Sequence, residues 1–143
     1  MDLDLRIQIP VIGVDTELAE VPETEGIWNV ESLGDRAGLL GGSALPGEGL
    51  SIVAAHNTLE AEKAGPFLLL GTLERNDTVL ISGADGSVRI FRVFANELLD
   101  PGDMDKLASI AGEGKNTLVL VTCENESFDG GYLDRRVIFA GQQ

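Results

Sequence analysis

The sequence predicts one mostly-β domain, and three observations carry that prediction: glycine punctuation, short apolar or alternating runs between the glycines, and little helical patterning. Glycine occupies 18 of 143 positions, nearly twice its usual share of about 7 per cent. It falls at "GG" 41–42, "PGEG" 46–49, "GADGS" 83–87, "AGEG" 111–114 and "GG" 130–131. Short strands separated by turn residues at this spacing read as a small barrel or sandwich.

Taken in chain order, the runs predict strands at Leu5–Ile9, Val11–Val14, Ser51–His56, Thr78–Ser82, Ser87–Ala95, Thr117–Cys123 and Arg136–Ala140. The clearest pair is "DTVLISGADGSVRIFRVFA" (77–95), a hairpin whose Asp85-Gly86 tip suits the positive φ that a tight turn demands. In its second arm Val88, Ile90, Arg92 and Phe94 alternate with Arg89, Phe91 and Val93, so both faces are partly apolar. Two segments carry helical signals. "GPFLLLGTL" (65–73) sets Phe67, Leu70 and Leu73 on one side of about one and a half turns. "DPGDMDKLASIAG" (100–112) offers Asp103 as an N-cap, Leu107 and Ile110 as an apolar stripe, and Gly112 as a stop. There is no repeat, low-complexity tract or linker, so residues 1–143 are read as one domain.

Composition excludes several functions. One cysteine permits no internal disulfide, and one cysteine with one histidine makes a zinc site improbable. A net charge of −14, with only ten Lys and Arg, argues against nucleic acid and against anionic lipid. No stretch reaches the ~18 consecutive apolar residues of a membrane span, so the chain reads as a soluble domain. The acidic "DPGDMD" (100–105) lacks the ligand spacing of an EF-hand loop, and no metal and no cofactor is expected.

Three residues invite chemistry. "NTLVLVTCENES" (116–127) runs apolar and then breaks at Thr122-Cys123, the only cysteine. "LSIVAAHN" (50–57) ends the same way at His56, the only histidine, and Arg136 opens the apolar "RVIFAG". Singly, each has an ordinary explanation: a packed thiol, a satisfied surface imidazole, a strand-end arginine. Together they match the needs of acyl transfer. A thiolate attacks the acyl carbon, an imidazole protonates the leaving amine, and a fixed cation stabilises the oxyanion.

"TLVLVTC" (117–123) with a downstream arginine and an upstream "IVAAHN" (52–57) resembles the sortase family of cysteine transpeptidases. That family carries a "TL-x-TC" strand, an "x-A-G-H" strand and an arginine shortly after the cysteine. "RIQIPVIGVDTELAEV" (6–21), "SALPGEG" (43–49), "GPFLLLGTLERNDTVLI" (65–81) and "RIFRVF" (89–94) are similar to further family segments, in the right order. Ala55 and Asn76 stand where the family usually has glycine.

The resemblance implies a closed eight-stranded β-barrel with one or two short helices in its connections. Carried over by residue, it makes Cys123 the nucleophile, His56 the catalytic histidine and Arg136 the oxyanion-side arginine, with Arg135 as the adjacent candidate. Ala54, Val121 and Thr122 fall where the family lines its substrate groove. The implied reaction cleaves an LPXTG-like sorting signal between Thr and Gly and passes the acyl group to an amine, on a cell-wall precursor or a pilin lysine. The implied location is the outer face of the cell membrane or the cell wall, with any anchoring helix upstream of this chain. Two other classes fit the residues alone: a hydrolytic cysteine peptidase, and a non-enzymatic β-barrel interaction module with Cys123 simply packed.

Overall fold

A computed structural model describes residues 2–24, 27–28, 33, 35–41, 43–56, 65–99, 116–126 and 132–142, with the backbone alone at 2–3, 23–24, 27–28, 123–126 and 132–135. The predicted helix at 100–112 and the acidic stretch within it lie outside the described residues.

The described residues form ten strands. β1 (Asp2–Ile9) stops at Pro10, which lacks the N–H a ladder needs and sits at the start of a 3-10 turn, Pro10–Ile12. Gly13 ends that turn at φ +73°, donating its N–H to the Pro10 carbonyl at 3.2 Å. The strand expected at Val11–Val14 is therefore this turn followed by β2 (Val14–Val21), which returns antiparallel beside β1. β3 (Glu23–Thr24) and β4 (Ile27–Trp28) form a separate small ribbon. β5 (Ala37–Leu40) is too short and glycine-flanked to stand out in the sequence. β6 (Leu50–Ala54), β7 (Thr78–Gly83), β8 (Val88–Leu99), β9 (Thr117–Glu126) and β10 (Tyr132–Gln142) complete the set.

Eight of these close into a barrel in the order β1-β2-β5-β6-β9-β10-β8-β7, with β7 pairing back onto β1. The pairs β2–β5 and β6–β9 are parallel, and the other six are antiparallel. This is the mostly-β closed barrel of eight strands that the sequence reading expected. Its β7–β8 hairpin turns through Ala84, Asp85 and Gly86, and Gly86 alone of the three has a positive φ, +86°. Asn76 sits at φ +76° in the turn before β7, the conformation glycine would supply and asparagine tolerates. Asp77 secures that turn by accepting the Glu74 N–H on its carboxylate at 2.6 Å.

The barrel interior holds Ile7, Leu18, Val53, Phe91, Leu120 and Ile138, among others, all essentially inaccessible. The 65–73 segment contributes a turn and a 3-10 helix, Leu70–Thr72, rather than regular α-helix. Its expected apolar side is real: Phe67, Leu70 and Leu73 are buried and join the interior cluster as a plug. Each such large side chain contributes about 1.5–3 kcal/mol of transfer free energy. A second cluster, Val119, Val121, Val137 and Phe139, lies on the opposite side of β9 and β10 with Leu50, Ile52, Ala95 and Leu99. β9 and β10 therefore bury both faces, which is why their sequences read as continuous apolar runs.

Candidate active site

The site is built by strand register. β6 and β9 run parallel, with Leu50 opposite Thr117 and, four rungs on, Ala54 opposite Val121. The ladder continues past the strand end, because the Ala55 N–H donates to the Val121 carbonyl at 3.3 Å and the Thr122 hydroxyl donates to the Ala55 carbonyl at 2.9 Å. That last pair keeps the same offset of 67 residues, and the offset carried one position further sets His56 level with Cys123. On the other side of β9, β10 places Arg135 opposite Cys123 and Arg136 opposite Thr122.

Side chains alternate along a strand, and directly opposed residues share a face. Leu118 and Leu120 belong to the interior, as do Ile138 and Ala140 across from them. Val119, Val121, Val137 and Phe139 belong to the outer cluster. Continued to the rim, the alternation puts Ala55, Thr122 and Arg136 in the inner layer. The backbone register sets His56 level with Cys123, and places Arg135 and Arg136 opposite Cys123 and Thr122.

The inner layer is bonded throughout. Thr122, expected beside the substrate, is 2 % exposed, and its hydroxyl is occupied by Ala55. Ala55 itself is buried in the core cluster. His56 is half-buried, and its carbonyl accepts the Phe67 N–H at 3.1 Å, tying the strand end to the plug. Arg136 is half-buried and donates from Nη1 to Oδ1 of Asn96 at 2.9 Å. Ala54 and Val121, the other two expected groove residues, oppose each other two rungs below the His56–Cys123 level, on the outer face. Asn96 is the residue that sequence reading passed over. Its only signal was a polar amide interrupting the apolar "RVFANELL" (92–99).

Among the described residues no three His, Cys, Asp or Glu side chains are grouped to hold a metal ion. No described helix is long and apolar enough to cross a membrane.

The sortase domain model matches residues 7–143. This chain belongs to the sortase family, cysteine transpeptidases by reaction. Solved sortases share its fold. Sortase A from Corynebacterium diphtheriae, in a lid mutant, superposes with a TM-score of 0.77 at 24 % identity, over 99 % of this chain and 70 % of that one. Sortase C-1 from Actinomyces oris gives 0.78 at 22 %, over 97 % and 72 %. A Clostridium perfringens sortase D5 transpeptidase gives 0.73 at 24 %, over 97 % and 78 %. A search of curated protein sequences finds no match. The barrel of this sortase is thus similar to structures of three lettered classes at nearly equal identity, so the likeness singles out no class.

Proposed function

We propose that this sortase cleaves an LPXTG-like sorting signal between Thr and Gly through an acyl-enzyme on Cys123, and transfers the acyl group to a primary amine. The observation that supports this reading is the parallel register that sets His56 level with Cys123 at adjoining strand ends. The Cys123 thiolate attacks the Thr carbonyl carbon, and the C–N bond to Gly breaks as His56 gives its proton to the departing amine. An incoming amine attacks the thioester, His56 takes its proton, and the thiolate leaves. An arginine stabilises the oxyanion in both halves. The family pattern assigns this task to Arg136, which opens the apolar run of β10. Ala54 and Val121 form the floor of the signal groove.

The acceptor is a cell-wall precursor amine or a pilin lysine, and the enzyme works at the outer face of the cell membrane or in the wall. The test is a library of LPXTG peptides varied at the first, second and fourth positions, incubated with the protein and a simple amine such as triglycine. Mass spectrometry should find cleavage after Thr, transfer to triglycine and an acyl adduct on Cys123. Cleavage that persists in Cys123→Ala, or no adduct with any peptide, ends the reading. Release to water alone, with no transfer, makes the protein a hydrolytic peptidase.

A further inference from the structure

The reaction outlined above needs an arginine fixed in direction, and Arg136 has a partner that fixes it. Its Nη1 donates to Oδ1 of Asn96 on β8 at 2.9 Å. The same amide donates from Nδ2 to the Gly71 carbonyl at 3.0 Å and the Leu73 carbonyl at 2.9 Å. Only one orientation of the amide satisfies all three bonds, since carbonyls need donors and a guanidinium needs an acceptor. The two carbonyls lie at the end of the plug's 3-10 helix, where no further turn supplies donors. One side chain thus ties the last turn of the plug to a guanidinium on β10.

Asn96 can reach Arg136 because β8 is bulged. In the register with β10, Ala140 pairs with Val93 and Phe139 with Ala95, so Phe94 is an extra residue. Before the bulge the odd positions Phe91 and Val93 face the interior. After it the parity reverses: Ala95 and Leu99 pack in the outer cluster, and Asn96 turns to the inner rim. Bulges are built features that re-aim a side chain, often beside an active site. Phe94 packs on Phe139, ring centroids 6.1 Å apart.

The chemistry of the partner matters as much as its place. A carboxylate at position 96 would pair with Arg136 and offset the charge that a developing oxyanion needs. An amide oxygen orients the guanidinium and leaves its charge intact. The guanidinium is a rigid planar fork, so a bond to one of its N–H groups sets the direction of the others. We propose that Asn96 is the positioning residue of the oxyanion-side arginine: it aims Arg136 and lends it the rigidity of the plug. This inference rests on the reading of Arg136 in that role.

A double-mutant cycle tests it, read as kcat and KM on one cleavable LPXTG peptide and as melting temperature. Arg136→Ala should lower kcat by about 10²- to 10³-fold, the usual cost of one oxyanion donor. Asn96→Ala should lower it by about 10- to 100-fold with KM within a few-fold, because a misplacement of about 1 Å suffices. In the Arg136→Ala background, Asn96→Ala should cost no further kcat, since the arginine it aims is gone. It should still lower the melting temperature there, because the Gly71 and Leu73 carbonyls lose their donor. Should Asn96→Ala fold poorly, Asn96→Ser, too short to reach Arg136, carries the same comparison. A wild-type kcat in the Asn96 variant, whatever its melting temperature, overturns the proposal. So does an equal loss of kcat in both backgrounds, which would make Asn96 a framework residue. A wild-type kcat in Arg136→Ala instead sinks the reading of Arg136 on which the proposal depends.

Discussion

Thr122→Val is the substitution that separates a framework role from a substrate role at the cysteine strand. The Thr122 hydroxyl is buried and donates to the Ala55 carbonyl at 2.9 Å, linking β9 to the chain immediately before His56. Valine has nearly the same shape and no hydroxyl, so packing is kept while one buried bond is lost and a carbonyl goes one donor short. That combination costs about 1–3 kcal/mol. For a domain of this size the melting temperature should fall by roughly 3–10 °C. The catalytic effect should be larger in proportion, because His56 is the next residue and a misplacement of about 1 Å can cost 10²-fold. The expected result is a fall in kcat of about 10- to 100-fold with KM within a few-fold. Thr122→Ser keeps the hydroxyl and should recover most of kcat. The assay is steady-state cleavage of one LPXTG peptide alongside thermal melting. A raised KM with unchanged kcat and melting temperature would put the hydroxyl against substrate after all, and a Ser variant no better than Val would refute the strut.

Cys123→Ala should abolish cleavage and leave the melting temperature nearly unchanged, since a small thiol gives way to a smaller methyl at a strand end; circular dichroism and peptide turnover check both. His56→Ala should slow acylation by about 10²- to 10⁴-fold in single-turnover measurements, and an unchanged rate would demote it to a structural residue. Ser51 is buried in β6 with a hydroxyl that has no hydrogen-bond partner among the described residues, so Ser51→Ala should be neutral or stabilising by about 1 kcal/mol in denaturant unfolding. Asp85 accepts from the Ser87 hydroxyl at 2.7 Å and its N–H at 3.0 Å, which holds its carboxyl below the ordinary aspartate range. The hairpin contribution is therefore present above the ordinary aspartate pKa and lost as pH falls through the lowered one. An NMR titration should show Ser87→Ala moving the Asp85 pKa upward.

Much of this fold was legible because its signals are local. The β7–β8 hairpin announced itself through Asp85-Gly86 between alternating arms, and the plug through Phe67, Leu70 and Leu73. β2 was obscured because "VDTELAEV" (14–21) mixes acids into a strand that buries only Val14, Leu18 and Val21. Pro10 and Gly13 turned the predicted Val11–Val14 strand into a corner, since tertiary pairing with β1 needs a tight return there. The bulge at Phe94 left no trace at all. Its phase reversal depends on which β10 residues lie opposite, a fact of pairing rather than of composition.

The pairing also explains why the sequence could nominate the site and yet leave the arginine open. Three dipeptides meet at the barrel rim: Ala55-His56, Thr122-Cys123 and Arg135-Arg136. In each, one member, Ala55, Thr122 or Arg136, lies in the inner layer. The inner members have visible employment, from the Thr122–Ala55 bond to the Arg136–Asn96 bond. In the first two dipeptides the chemistry itself identifies the candidate for the reaction, His56 in one and Cys123 in the other. In the third both residues are arginine, and the run after them, Val137 to Ala140, is apolar on both faces. Neither residue type nor hydrophobic phase can then distinguish them. Only the register can, through the two successive rungs that pair Arg135 with Cys123 and Arg136 with Thr122. A one-residue slip of β10 would exchange these pairings and turn Ile138 and Ala140 out of the core, so the buried pair that fixes the strand also fixes which arginine stands opposite Cys123 in the ladder.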